Sequence, residues 1–498
     1  MIDVKGFGAA GPIGSGDVVV RENPARPHEM VARLVTTTPR EVDHVVTDAV
    51  EAQRGWAQRT VSERAELVSA AADQLDEIAA QVGAVLAAEL GKPIADSEGE
   101  CRFAAGFSRF VAGRVEALCA ERDIDDERGR RVILNEPLGT IAAIVPWNAP
   151  LILASLKVAP AVACGNAIVV KPSPLAPAAV TIALQHWAEA LPPGVISVVH
   201  GERDAGEALV QHRGIRKVAF TGGEVAGSAV LHSAADALIP ATMELGGNDA
   251  AVVLPECTFT DDMLSRMVFG VFLTSGQVCM AAKRIYVHRD RLHEFQSRFV
   301  QRCHELLVWG DPTDPTVTVG PVVSSTQRDA LTQLRERSTP ACDRIIEVGR
   351  PARGEPLDAG YFVTPAVAVD ADPQCELVVR EQFGPLVPIV AYHSVDEAIE
   401  LANSSPYGLA SSVWADDEAA AFAVGRQLDA GTTFINCHNR AGMAFDLPFG
   451  GRRRSGFGLE FGDAGIASYL QTHVVHAPAS TRGGGSGASS GRDYPTAN

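Results

Sequence analysis

Three residues of this chain combine reactive chemistry with a turn that could expose it. Cys279 follows Ser275-Gly276-Gln277-Val278, Glu244 precedes Leu245-Gly246-Gly247, and Asn148 lies between Trp147 and Ala149 with Pro146 and Pro150 on either side. A free thiol is only a few per cent thiolate at neutral pH, so a nucleophilic cysteine needs a base or a positive field. Glu244 could supply that base, and a carboxylate beside two glycines has room to swing as a proton shuttle must. The Asn148 amide, fixed at a strand end, could donate to a developing oxyanion. Each has a plainer reading: a small buried hydrophobe for the cysteine, turn chemistry for the asparagine.

Two further stretches pair polar residues with glycine or proline. Lys171-Pro172-Ser173-Pro174 follows an apolar run, where a lysine at the carboxyl end of a parallel strand would lie at a nucleotide site. Phe220-Thr221-Gly222-Gly223-Glu224 reads as a glycine turn leading from strand to helix, although it is not the strict G-x-G-x-x-G pattern. A solvated lysine and a purely steric glycine turn are the alternatives.

The elements that must position these residues are legible from periodicity. Thr38-Pro39-Arg40-Glu41 offers a capping box, with Val42, Val45, Val46, Ala49 and Val50 following at helical spacing. Thr60 and Glu63 repeat the box before one long helix that runs towards Leu90, with Gly91 as its stop. From residue 131 the texture alternates. Strands are predicted at Arg131–Leu134, Thr140–Val145, Ala167–Val170, Val195–Val199 and Lys217–Phe220, with a helix over Pro177–Ala190. A second set follows: strands at Ala251–Leu254, Ile285–Val287, Ala366–Val369, Leu386–Ala391, Ser411–Trp414 and Thr432–Ile435. Helices are expected there at Asp262–Thr274, Leu292–Leu307, Val395–Ala402 and Glu418–Leu428. This is the alternation of parallel α/β units, in two domains that meet near Gly246–Asp249.

With 498 residues there is room for two to four domains of about 100–200 residues. Apolar residues at 46% and charged ones at 21% are ordinary for a globular protein, and a net charge of −18 offers no general footprint for nucleic acid. The apolar stretch Ile141–Val170 contains Pro146, Pro150, Pro160, Asn148 and Lys157, so it reads as strand, turn, helix and strand, not a membrane span. Nine cysteines with no signal-peptide pattern over Met1–Gly16 imply reduced thiols and a cytoplasmic setting. Residues 479–498, rich in glycine and serine, read as a flexible tail.

Taken together and in order, the four glycine- and proline-flanked stretches resemble the aldehyde dehydrogenase superfamily, in its non-phosphorylating, hydrolytic branch. The likeness spans roughly Asn23 to His476. It continues through Glu381-Gln382-Phe383-Gly384-Pro385, Tyr407-Gly408-Leu409-Ala410, Pro448-Phe449-Gly450-Gly451 and Ser455-Gly456-Phe457-Gly458-Leu459-Glu460.

The resemblance implies an α/β fold: a Rossmann-like cofactor domain (1–119 and 138–246), an α/β catalytic domain (247–468) and a small β oligomerisation arm (120–137 and 469–478). It implies that Cys279 attacks an aldehyde, that Asn148 and the Cys279 N–H hold the oxyanion, and that Glu244 activates the water that releases a carboxylic acid. Lys157 and Glu460 match a proton-relay pair, for which a buried structural ion pair is an equally good account. The cofactor implied is NAD, with NADP left open. Lys171 would reach the adenosine ribose, Val145 and Trp147 the adenine side, Glu381 the nicotinamide ribose, and Phe383 the nicotinamide. Pro146, Ser173, Phe220, Thr221, Gly222, Gly223 and Leu245 complete the cofactor set.

Three positions depart from the family pattern. Pro174 stands where many NAD-using members carry a glutamate that repels a 2′-phosphate. Gly223 replaces a common serine, and Asn248 a common lysine. The implied substrate pocket comprises Ala149, Leu156, Val278, Met280, Phe445 and Phe449. His438, Asn439 and Arg440 border its entrance, where Arg440 either meets an acidic substrate group or is a solvated loop arginine. No metal and no membrane or nucleic-acid partner are expected, and the resemblance implies a homodimer or homotetramer. A cofactor-independent thiol esterase and a non-catalytic binding protein remain as alternatives.

Overall fold

Both predicted capping boxes close. In the computed structural model, which describes residues 1–352 and 360–481, Thr38 and Thr60 each accept the backbone N–H of the glutamate three residues on. Glu41 and Glu63 return to the threonine N–H at 2.8 Å. The first box starts α1 (Pro39–Ala57), which buries Val42, Val45, Val46 and Ala49. Each fully buried valine there contributes about 1.5–3 kcal/mol. The second starts α2 (Val61–Glu77), and here the structure corrects the single long helix. The helix breaks at Ile78 (φ −95°, ψ 5°) and resumes as α3 (Ala79–Leu90). The apolar spacing Val68, Ala71, Leu75, Ala79, Val82 and Leu86 runs through the break, so nothing in the periodicity marks it. Gly91 ends α3 in the left-handed region at φ 71°.

The helix α4 (Ile94–Cys119) follows and packs against α2, α3 and α5 (Pro150–Ala163). The apolar run Ile141–Val170 is the strand Thr140–Ile144, then α5, then the strand Ala167–Lys171. Among the described residues, no helix is long and apolar enough to cross a membrane. Next come α6 (Pro177–Glu189), α7 (Arg203–Gln211) and α8 (Glu224–Asp236), each lying between strands of the same sheet.

That first sheet has eight strands. Its centre is parallel, in the spatial order Ala241–Glu244, Ile215–Thr221, Thr140–Ile144, Ala167–Lys171 and Ile196–Val198. Strand order therefore reverses between Thr140–Ile144 and Ile215–Thr221, the crevice where open α/β sheets bind ligands. One outer strand comes from far away: Gly456–Phe457 pairs antiparallel with Ala241–Glu244. So the 247–468 stretch is not confined to one sheet, because its last portion returns to edge the first.

The second sheet has seven strands, all parallel except Arg344–Glu347 at one edge. Its central members are Leu386–Tyr392, Ala282–His288, Asp249–Val253 and Ala410–Trp414. A third sheet joins Arg122–Asp126, Gly129–Pro137 and Leu470–Pro478 into an antiparallel arm whose outer strands are mostly exposed. All nine cysteines are unpaired. Of the predicted tail, 479–481 form a short turn, and 482–498 lie outside the described residues.

Candidate active site

Cys279, Glu244 and Asn148 open into one cavity of about 80 Å³ between the two large sheets. Each is delivered by a different device. Glu244 is the last residue of its strand, pinned there because Ser455 accepts the Gly408 N–H and donates to the Gly246 carbonyl at 2.7 Å. Cys279 follows a tight turn in which Thr274 and Ser275 are left-handed at φ 52° and 59°. Non-glycine residues adopt that region at a cost of about 1–3 kcal/mol each. Lys283 holds this turn, donating to the Gly276 carbonyl at 2.5 Å and to the Gly384 carbonyl at 3.0 Å. Burial lowers the Lys283 ammonium to about 7. The two loops meet at Gly247, where a Cβ would stand 2.4 Å from the Cys279 carbonyl, so only glycine allows the approach.

Asn148 precedes α5 and is held from both sides. Its side-chain amide donates to the Gln277 carbonyl at 3.1 Å, two residues ahead of the thiol, which leaves its second N–H free. Its backbone carbonyl accepts from Lys92 at 3.0 Å. Lys92 is ion-paired with Glu100, whose other oxygen accepts the N–H groups of Leu151 and Ile152 at the start of α5. Ala149, at the N-cap, has no side-chain oxygen, and Glu100 does that work from α4.

The electrostatics favour the protonated form of both reactive groups. Burial pushes the Glu244 carboxyl well above the usual carboxylate range; the Glu460 charge adds to this and Lys157 opposes it. Burial, then the charges of Asp249, Glu381 and Glu244, push the Cys279 thiol up, while the Met280 N–H works the other way. Lys157 is fully buried and donates to Glu460 at 2.6 Å and Thr221 at 2.7 Å. Its charge is thus matched inside the site and placed to act on Glu244.

Of the six residues expected at the substrate pocket, Ala149, Leu156, Val278, Met280 and Phe449 line this cavity. Phe445 does not reach it. Its ring packs behind, edge-on to Phe103 at 5.1 Å and Phe107 at 5.7 Å, in space left open by Gly106 of α4. Phe103, Met443 and Phe461 supply wall that the sequence did not reveal. Phe461 takes a positive φ of 57°, which nothing in its composition signals. Arg440 lines the cavity, and its charge faces Asp96 at 3.5 Å, so it is neither an uncommitted acid receptor nor a free loop residue. His438 is not at the entrance: it is fully buried, bonded to Ser412 at 2.8 Å and 3.6 Å from Asp249.

A second, larger groove of about 770 Å³ lies at the reversal of strand order in the first sheet. Lys171 and Phe220 at strand ends line it, together with Gly223 and the first turn of α8. Lys171 is buried enough to be lowered to about 8, and no acceptor meets its ammonium among the described residues. No side chain caps α8, and the space beside Gly223 is open. A free ammonium, uncapped helix N–H groups and an open cradle suit the phosphates of a dinucleotide. Thr221 and Leu245 belong to the smaller cavity, and the Gly222 N–H bonds the Glu244 carbonyl at 3.0 Å.

Between the two spaces, Glu381 accepts the Gly247 N–H at 3.0 Å and is pushed up to about 7 by burial. Trp147 and Phe383 stand edge-on at 5.6 Å. The ring of Trp147 therefore lies with Phe383, and neither Trp147 nor the buried Val145 lines the larger groove. Pro146 is half-buried beside them, and Ser173 turns its hydroxyl onto the Leu175 N–H at 3.3 Å.

Comparison with known proteins agrees with this geometry. The sequence model of the aldehyde dehydrogenase family matches residues 14–475. The chain belongs to that family. Geranial dehydrogenase of Castellaniella defragrans is 34% identical over 459 residues, 91% of this chain and 94% of the relative. The structure of Mycobacterium tuberculosis aldehyde dehydrogenase complexed with NAD+ superposes with a TM-score of 0.89 at 32% identity, covering 96% of this chain and 99% of that one. NADP-dependent glyceraldehyde-3-phosphate dehydrogenase from Bacillus halodurans, complexed with NADP, has the same TM-score of 0.89 at 28% identity, covering 96% and 100%. This aldehyde dehydrogenase is an enzyme of NAD(P)-dependent aldehyde oxidation. Neither the esterase nor the non-catalytic alternative gains support.

Proposed function

We propose that this aldehyde dehydrogenase oxidises a neutral, apolar aldehyde to the free carboxylic acid, with Cys279 as nucleophile. The observation that carries the reading is the shared cavity: thiol, carboxyl and amide face one small space whose remaining wall is largely apolar. Leu156, Ile152, Met443, Phe103, Phe449 and Phe461 leave little for a charged substrate to contact, and Arg440 is already matched by Asp96.

The roles follow from position. The Cys279 thiol releases its proton to solvent as its sulfur bonds to the aldehyde carbon, and the carbonyl oxygen takes the negative charge. The free N–H of Asn148 and the Cys279 backbone N–H hold that oxygen. When bound, the nicotinamide supplies the oxidising power by accepting the hydride that leaves this carbon, so that a thioester remains on Cys279. Glu244 gives up its proton towards the Lys157–Glu460 pair and then takes one from water. The resulting attack breaks the C–S bond, releases the acid and returns the thiol. A carboxyl at Glu244 favours water as acyl acceptor over coenzyme A.

Residues 1–119 and 138–246 serve as the cofactor domain and 247–468 as the catalytic domain. The arm, 120–137 and 469–478, pairs with a second copy in a homodimer or homotetramer, supported by Val474 and Val475 standing about half exposed on its outer strand. Nine unpaired thiols suit a reducing, cytoplasmic setting. The test is turnover of NAD and NADP with hexanal, benzaldehyde, succinic semialdehyde and betaine aldehyde, with product identified as acid. Turnover with the apolar pair, lost in Cys279→Ser, supports the reading. Preference for either charged aldehyde sinks the substrate assignment, and retained activity in the variant sinks the nucleophile.

A further inference from the structure

The larger groove carries the carboxylate of Glu202, and we infer that it sets a preference for NAD over NADP. This rests on the groove being the cofactor site, as read above. The loop after the strand Ala167–Lys171 offers no acid, because Pro174 stands there. Glu202 lines the groove at the N-cap of α7. The aliphatic stem of Lys171 runs along that helix, with its Cδ and Cε 3.7 Å from where a Cβ on Gly206 would stand. The ammonium is thereby carried to the turn that holds Glu202, whose charge acts on it.

The Glu202 residue is exposed, and its side chain makes no hydrogen bond or ion pair among the described residues. Its oxygens are free to accept from ribose hydroxyls, which can donate. An acidic residue serves that end in dinucleotide-binding α/β folds generally. A 2′-phosphate brings negative charge to the same place. The neighbouring cation that could meet it, Arg203, is paired with Glu207 at 2.6 Å, and Glu207 is a second carboxylate in the groove lining. The phosphate would face two acids, a guanidinium paired with one of them, and the Lys171 ammonium on which the Glu202 charge already acts.

Titration calorimetry of the full-length protein with 5′-AMP and with 2′,5′-ADP reads this without turnover. The expected result is tighter binding of 5′-AMP by about tenfold, with Glu202→Gln closing most of that gap by strengthening 2′,5′-ADP. Pro174→Ala should leave the gap in place. Equal or tighter binding of 2′,5′-ADP by the unmodified protein overturns the inference. So does a Glu202→Gln variant that shifts both probes equally, or an Arg203→Ala variant that loses only 2′,5′-ADP. Failure of a folded protein to bind either probe removes the groove as the cofactor site, and the underlying reading falls with it.

Discussion

Cys279 and Glu244 both hold protons more tightly than their free counterparts, and for the same reason: each charge would be buried near other negative charges. The sign follows directly. Raising pH strips protons that burial retains, so alkylation of Cys279 by iodoacetamide should keep accelerating beyond about pH 9, past the range of an ordinary thiol. A plateau near neutrality would mean that the thiolate is already formed. Cys279→Ser should cost on the order of a thousandfold or more in kcat/KM, checked in steady state. Glu244→Gln should give one equivalent of reduced cofactor in a burst and almost no steady rate. If burst and steady rate fall together, Glu244 activates the thiol as well. These residues were legible because chemistry, glycine and order coincide in them. Lys92, Lys283 and Phe461 were not. Lys92 reaches Asn148, 56 positions on, and Lys283 reaches Gly384, 101 positions on, and the left-handed Phe461 carries no glycine to announce it, so local sequence holds no trace of them.

At the scale of elements, the start of α5 depends on an ion pair from α4 and the loop before it. Removing one member leaves a buried charge alone, so Lys92→Met should destabilise by about 3–5 kcal/mol in denaturant titration. It should also lower kcat more than it raises KM, because Asn148 loses its backbone anchor. The double variant Lys92→Met, Glu100→Gln should recover part of the stability but not kcat. Unchanged kcat in the single variant would separate the pair from Asn148. Most of the strands were readable, since Ala366–Val369 and Thr432–Ile435 are short apolar runs bounded by turns. The helix α4 was not, because Gly99, Gly106 and Gly113 interrupt a mixed pattern whose helical state rests on packing against α2, α3 and α5. The break at Ile78 was invisible because the apolar stripe continues across it.

For the whole molecule, the exposed arm is the feature least suited to a single chain. Val474→Lys together with Val475→Lys should reduce the sedimenting species to a monomer while leaving the fold intact by circular dichroism. An unchanged sedimentation coefficient would move the interface elsewhere. The α/β architecture followed from alternation alone, but the return of a late segment to the edge of the first sheet did not. Gly456–Phe457 pairs with Ala241–Glu244 through a register that no local pattern encodes.

That returning edge strand also dictates when the protein can become itself. Glu460 meets Lys157 across 303 positions of sequence. While the chain leaves the ribosome, the strand that ends in Glu244 waits for its edge partner for roughly 10–45 s at about 5–20 residues per second. Through that interval the nascent chain presents an open β edge and an ammonium without its counter-charge, in a segment otherwise ready to bury itself. Catalytic competence waits until the residues near Glu460 have emerged, and the half-made chain is the form that a chaperone must guard.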